Sequence, residues 1–211
     1  LGGGAEVVMH SHRVAASAET YMGLVEVGVG LVPAGGGIKE CLIRGTSDAA
    51  KVDNVDLFPF VMDMWKKIAM ADVATSGFEA VSKQYLKKSD RVILNSDALI
   101  DEAKELVLSM DKAGFRPVIK EEIKVLGRTG KAALAFITEQ MLKGNYISEY
   151  DAHIANKIAT IITGGNVPLN TYVSEEQILE LEKEAFLSLC GEDKTLDRIG
   201  HMLKTGKPLR N

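Results

Sequence analysis

Up to about residue 45, short apolar runs are cut by glycine clusters; beyond it, apolar residues recur at helical spacing between polar stretches. Ala5-Glu6-Val7-Val8-Met9 follows the triplet Gly2-Gly3-Gly4 and can form a short helix. Arg13 to Ala16 reads as a short strand, and Met22 to Gly28 as a loop and turn. A second cluster, Pro33-Ala34-Gly35-Gly36-Gly37, precedes Ile38 to Ile43, the expected start of a helix. Glycines so placed let the backbone take conformations other residues avoid and approach a ligand closely. After Gly45 the chain turns polar through Thr46-Ser47-Asp48 and Asp53-Asn54, which predicts a loop or insertion.

Helical patterns fill the rest. Leu57 to Ala71 is apolar around Trp65, and Val92-Ile93-Leu94 reads as a strand. Asp97 stands where an N-cap belongs, ahead of Leu99, Ala103, Leu106, Val107 and Met110 on one helical face. Gly127 to Gly130 interrupts the pattern, and Ala132 to Leu142 resumes it. Ser148-Glu149-Tyr150-Asp151 resembles a capping box with Asp in place of Glu or Gln. The helix it opens carries Ile154, Ile158, Ile161 and Ile162 and ends at Gly164-Gly165. Ser174-Glu175-Glu176-Gln177 is a second capping box, followed by Ile178, Leu181, Ala185 and Leu189, with Gly191 as the stop. A last short helix is expected over Leu196 to Leu203.

With 211 residues and 46% hydrophobic content, the chain can build one domain with a full core, or one domain plus an appendage. A net charge of -4 gives no reason to expect nucleic acid or an anionic membrane as partner. No apolar run approaches the roughly 18–20 residues that span a bilayer, and no secretory signal opens the chain. Cys41 and Cys190 do not make a disulfide framework. These features predict a cytoplasmic protein with both thiols buried as small apolar fillers. The chain opens on Leu1, without Met, and runs straight into glycines, as expected of a sequence that begins inside a longer protein.

Candidate chemistry gathers at the glycines. A triplet ahead of a helix presents N–H groups without intrahelical partners, able to make a tight turn or to hold an oxyanion. Glu6 sits in a first helical turn, where the macrodipole favours a carboxylate even without a function. Glu26 sits among Val25, Val27 and glycines, where burial would raise its pKa and suit proton transfer. His10-Ser11-His12 lacks a third ligand group, so no metal is expected. Gly127-Arg128-Thr129-Gly130-Lys131-Ala132 has the wrong spacing for a phosphate loop. His153 and His201 are expected at the surface or an interface.

Taken together, Gly2-Gly3-Gly4-Ala5-Glu6, Gly23-Leu24-Val25-Glu26-Val27-Gly28-Val29-Gly30 and Pro33-Ala34-Gly35-Gly36 resemble the signature of the enoyl-CoA hydratase/isomerase (crotonase) family. Glu6 and Glu26 stand twenty residues apart, as do that family's paired acids. Ala34 departs from the glycine common at its position. The resemblance implies an α/β chain: a partial crotonase (ClpP/crotonase-like) fold with few strands over 1–113, then a mostly α-helical C-terminal region over 114–211. It implies Glu6 and Glu26 as the catalytic acid/base pair and Gly3 as one N–H of the oxyanion hole. The substrate would be an acyl-CoA thioester, a 2-enoyl-CoA gaining water at C3 and a proton at C2. Isomerases of the family can work with the second acid alone, so two acids favour hydration.

The family's other oxyanion N–H, and most residues that bind CoA, lie upstream of the triplet. The resemblance therefore implies that the upstream part of the same polypeptide completes the site and that this chain alone is inactive. Ser148-Glu149-Tyr150-Asp151-Ala152-His153 and the ending His201 to Leu209 resemble one subgroup, the bacterial multifunctional 3-hydroxyacyl-CoA dehydrogenases of fatty-acid oxidation. In these a dehydrogenase portion precedes a hydratase-like module. No G-x-G-x-x-G follows a strand here, so no cofactor is expected in this segment and NAD only in an upstream dehydrogenase portion. Relatives of the family assemble through C-terminal helices, which makes a homo-oligomer a candidate assembly. The competing expectation is a non-catalytic helical scaffold or oligomerisation part of a dehydrogenase.

Overall fold

The residues after the glycine triplet do form a helix. In the computed structural model, which describes residues 1–117 and 122–211, α1 spans Gly3–Met9 and buries Ala5, Glu6 and Met9. β1 (Ala15–Ser17) and β2 (Arg91–Ile93) pair in parallel, with Ala16 opposite Val92. Both strands sit one or two residues from their predicted places. Arg13 is exposed, and the Val14 N–H donates to the Asp90 carboxylate at 3.1 Å instead of to a strand. A second pair, β3 (Ile123–Val125) against antiparallel β4 (Thr171–Val173), was not legible in the sequence. Three residues are too few to show alternation.

Two glycine positions depart from expectation for the same reason. α2 (Gly37–Ala50) runs straight through Gly45 and Thr46-Ser47-Asp48, so the first part of the predicted loop is helix, while Asp53-Asn54 lies in a turn beyond its end. A Cβ at Gly45 would lie 2.6 Å from Cγ of Met64 on α3 (Phe58–Ala69), so the missing side chain is what lets the two helices approach. The Thr46 hydroxyl meanwhile donates to the Leu42 carbonyl at 2.7 Å. Likewise Gly127 to Gly130 does not interrupt a helix but opens α6 (Gly127–Lys143). There a Cβ at Gly130 would meet the Leu126 Cβ at 2.3 Å.

Asp97 is not a helix N-cap. Asn95 accepts the Asp97 N–H at 3.1 Å and caps a 3-10 turn, Ser96–Ala98, that leads into α5 (Leu99–Lys112). On α5 Leu106 is buried, whereas Val107 of the predicted apolar face is exposed. A short helix, α4 (Gly77–Ser82), lies between α3 and β2.

The capping box predicted at Ser148 is formed. Ser148 Oγ accepts the Asp151 N–H and Asp151 accepts the Ser148 N–H, each at 3.1 Å, opening α7 (Glu149–Ile162). Ser174 caps α8 (Glu175–Cys190) by accepting the Gln177 N–H at 3.2 Å, and α9 spans Asp193–Thr205. The core runs continuously from α2 and α3 into α7 through Leu42, Val61, Ile68, Ile154 and Ile158. Trp65 closes that seam by donating its indole N–H to the Ala155 carbonyl at 2.9 Å. Cys41 is buried in this core as expected, but Cys190 is exposed at the end of α8. No helix among the described residues is long and apolar enough to cross a membrane.

Candidate active site

A backbone bond and the Glu6 side chain gather the two glycine clusters and the Glu26 loop. The Gly2 N–H donates to the Gly23 carbonyl at 2.9 Å, tying the start of α1 to the loop that leads into Glu26. Met22 pairs with Ala74 on the other side of that loop. α1 then projects Glu6 inward, where its Oε1 accepts the N–H groups of Gly35 and Gly37 at 2.8 and 2.9 Å. Gly36, between them, holds a left-handed φ of 91° and serves as the N-cap of α2. Cβ atoms at Gly35 and Gly37 would lie 2.7 and 2.8 Å from the Glu6 carboxylate oxygens, so only glycine lets the loop close around that acid.

Glu26 opens a 3-10 turn, Glu26–Val29, closed by Gly30 and Leu31 N–H donations to Val27 and Glu26 carbonyls. Its Oε1 lies 3.2 Å from where a Cβ on Gly2 would be, beside the start of α1. Its Oε2 is buried with no hydrogen-bond partner. Burial pushes the Glu26 carboxyl up to about 7; the Glu26 and Val25 backbone N–H groups oppose this, and the Glu6 carboxylate adds to it. A group of this kind carries a proton near neutral pH and can give it up.

Glu6 and Glu26 line one open cleft of roughly 640 Å³, together with Gly3, Val32, Ala34 and Gly35. Its opposite wall comes from α8 through Leu179, Lys183, Phe186 and Leu187. The volume lies within the range of small-molecule sites. Gly3 stands in the first turn of α1, where helix geometry supplies its N–H with no acceptor. The three residues singled out from the sequence thus lie around one mostly apolar space, whose far wall also carries Glu180, paired with Lys183 at 3.0 Å.

The tail contributes residues that sequence reasoning missed. Glu182 of α8 is fully buried and accepts the Gly36 and Lys39 N–H groups, each at 2.8 Å. Burial raises its carboxyl to about 7 against those two donors, and Glu6 adds to the rise. Arg198 of α9 is also fully buried; it donates to the Val27 carbonyl at 3.1 Å and to Asp151 at 2.8 Å. Thr195 donates to the Gly30 carbonyl at 2.7 Å. α9 therefore grips both ends of the turn that carries Glu26. One clue was present: Glu182 falls on the buried side of α8 with Ile178 and Leu189, where an acid is out of place.

The other candidates do not line the cleft, although the His10 ring rests against Gly36. His10 Nδ1 lies 2.7 Å from the Glu6 carbonyl, and no group of side chains able to hold a metal occurs among the described residues. Gly127 to Ala132 is the first turn and a half of α6. His153 pairs with Glu192 at 3.0 Å on the surface.

No family model matches the chain. In sequence it is 48% identical, over all of its length, to 26% of a Bacillus subtilis protein named "Probable 3-hydroxyacyl-CoA dehydrogenase". It is 26% identical, over 97% of its length, to 25% of a Rickettsia felis protein named as a fatty acid oxidation complex trifunctional enzyme. The chain thus spans about a quarter of the length of these curated relatives. In structure it is similar to carnitinyl-CoA hydratase from Mycobacterium avium, with a TM-score of 0.55 and 12% identity over 99% of this chain and 57% of that one. A Streptomyces avermitilis protein described as an enoyl-CoA hydratase gives a TM-score of 0.51 and 17% identity over 97% of this chain and 52% of that one. The chain therefore has the fold of the enoyl-CoA hydratase (crotonase) type in part, with few strands and a mostly helical remainder, and is similar in sequence to about a quarter of the length of proteins named for 3-hydroxyacyl-CoA dehydrogenation and fatty acid oxidation.

Proposed function

We propose that this chain carries the acid/base pair of a 2-enoyl-CoA hydratase module in fatty-acid β-oxidation. The observation that carries the reading is the convergence of Glu6, Glu26 and the Gly3 amide on one cleft. Glu6, whose Oε1 is occupied by two loop amides, takes the proton of the water that adds at C3. Glu26, protonated near neutral pH in its buried seat, delivers a proton to C2. As C2 gains carbanion character, charge moves onto the thioester oxygen, and the Gly3 N–H receives it there. The name of the Bacillus subtilis relative supports placing this module in a longer polypeptide that also oxidises 3-hydroxyacyl-CoA, with NAD bound outside the present chain.

The test is hydration of crotonyl-CoA by a polypeptide extended upstream of Leu1, which supplies the second oxyanion donor. Glu6→Gln and Glu26→Gln should each lower turnover by about 10²–10⁴-fold, the range of general acid–base catalysis. Unchanged turnover in both variants would leave a helical scaffold of a dehydrogenase as the surviving alternative. The 211-residue chain by itself should hydrate crotonyl-CoA negligibly.

A further inference from the structure

Four closely spaced amides at the head of α2, those of Gly35, Gly36, Gly37 and Lys39, are divided between two carboxylates. Glu6 Oε1 takes Gly35 and Gly37; the two oxygens of Glu182 take Gly36 and Lys39. The donors interleave, so neither carboxylate can move without disturbing the backbone that holds the other. First-turn amides of a helix lack internal acceptors and favour negative charge, which explains why acids gather there. It does not explain why the acceptor comes from α8. A local Ser or Asp at the N-cap would serve, yet the N-cap is Gly36, which has no side chain to offer.

The setting of Glu182 is unlike that of an ordinary cap. Its residue is fully buried, and its helix supplies the far wall of the cleft through Leu179, Lys183, Phe186 and Leu187. The facing cation, Lys39, is already paired with Glu40 at 2.7 Å and with Glu175 at 2.9 Å. Glu182 thus lies beside Glu6 without a cation committed to it alone. The two acids share a loop in spite of their like charges, and Glu6 adds to the rise in the Glu182 pKa.

We propose that Glu182 is a positioning residue for Glu6: from α8 it fixes the Gly35–Gly37 loop in the one arrangement that presents two amides to the water-activating acid. This rests on the hydratase reading of Glu6 given above. It also makes α8 a working part of the site, so that the wall of the cleft and the orientation of the acid are set by the same helix.

Glu182→Gln preserves size but turns one acceptor oxygen into an NH2 group that faces an N–H donor. In the upstream-extended polypeptide it should lower kcat for crotonyl-CoA hydration about tenfold or more. KM should stay within about threefold, because the loss falls on the transition state. In the amide NMR spectrum, exchange protection should fall at Gly35 and Gly37 as well as at Gly36 and Lys39. A cap that serves only α2 would disturb Gly36 and Lys39 and leave Gly35, Gly37 and kcat unchanged, and that result overturns the proposal. Glu182→Asp, which keeps the charge and withdraws it by one methylene, should give the same pattern at smaller amplitude. It decides the matter if the Gln variant does not fold. Glu26→Gln serves as the reference: full turnover there dismisses the hydratase reading itself, whereas loss there with normal kcat in both Glu182 variants dismisses only the role of Glu182.

Discussion

Glu6 and Glu26 face the same cleft but are held differently, and the difference predicts separable behaviour. Glu26 has a buried oxygen without a partner and a carboxyl raised from 4.5 to about 7. Between those values the folded chain keeps a proton that the unfolded chain releases. Stability is therefore greatest below about 4.5 and falls as pH rises towards about 7, by on the order of 3 kcal/mol for this group. Glu26→Gln should remove that slope, raising stability at pH 8 while leaving it nearly unchanged at pH 4. Denaturant midpoints at the two pH values check this; Glu182, raised to a similar value, keeps its own part of the slope. Glu6 is instead seated by glycine amides, so it should be sensitive to their side chains. A Cβ on Gly35 would press the carboxylate from 2.7 Å, yet Gly35 is exposed and its φ is not left-handed. Gly35→Ala should thus displace the acid and lower hydratase turnover by about tenfold or more, while the melting temperature moves by no more than about 2 °C. These residues were legible in advance because glycine spacing along a short stretch encodes the loops that carry them.

At the scale of elements, what was legible divides along the range of the information. α7 was readable because its start and stop are local: a reciprocal Ser148–Asp151 cap and paired glycines with φ of 83° and 82°. α2 and α6 were misread because Gly45 and Gly130 look like breaks on propensity alone. In the fold they are small surfaces: Met64 of another helix rests on Gly45, a neighbour the local pattern does not contain, and the Leu126 side chain one turn back rests on Gly130. The contrast can be measured. Gly45→Ala should gain about 1 kcal/mol of helix propensity. Against that, its Cβ would sit 2.6 Å from Met64 Cγ, which is not the free end of the side chain. Overpacking of this kind costs about 1–3 kcal/mol, so the net effect should be destabilising. An increase in the urea midpoint would show that Met64 yields and that the spacing of α2 and α3 is not set at Gly45.

For the molecule as a whole, the question is how a tail that resembles an appendage comes to shape the site. Trp65 and the Ile154–Ile158 stripe join the tail to the core, but the direct line to the chemistry runs through α9. Arg198 spends its donors on the Val27 carbonyl, Asp151, Ser148 and Asn211, and lies 5.1 Å from the centre of the Tyr150 ring. Nothing local in the sequence marks this arginine, since its partners come from the Glu26 turn, the head of α7 and the end of the chain. Burial raises the Asp151 carboxyl, but the Arg198 bond and the Ser148 N–H outweigh it and leave the group below its ordinary value. The pair therefore stabilises the fold above the usual Asp range, and that contribution is lost as pH falls through the lowered value. Arg198→Met should remove about 3–5 kcal/mol at pH 7, because it leaves a buried carboxylate with the Ser148 N–H and the half-exposed Arg210 as its partners and no buried cation. At a pH low enough to protonate Asp151 in both states the difference should shrink. The same variant frees the Val27 carbonyl, so hydration activity per folded molecule should fall along with stability. If activity per folded molecule were unchanged, α9 would be a brace for α7 alone, and the turn bearing Glu26 would hold its shape from its own short-range bonds.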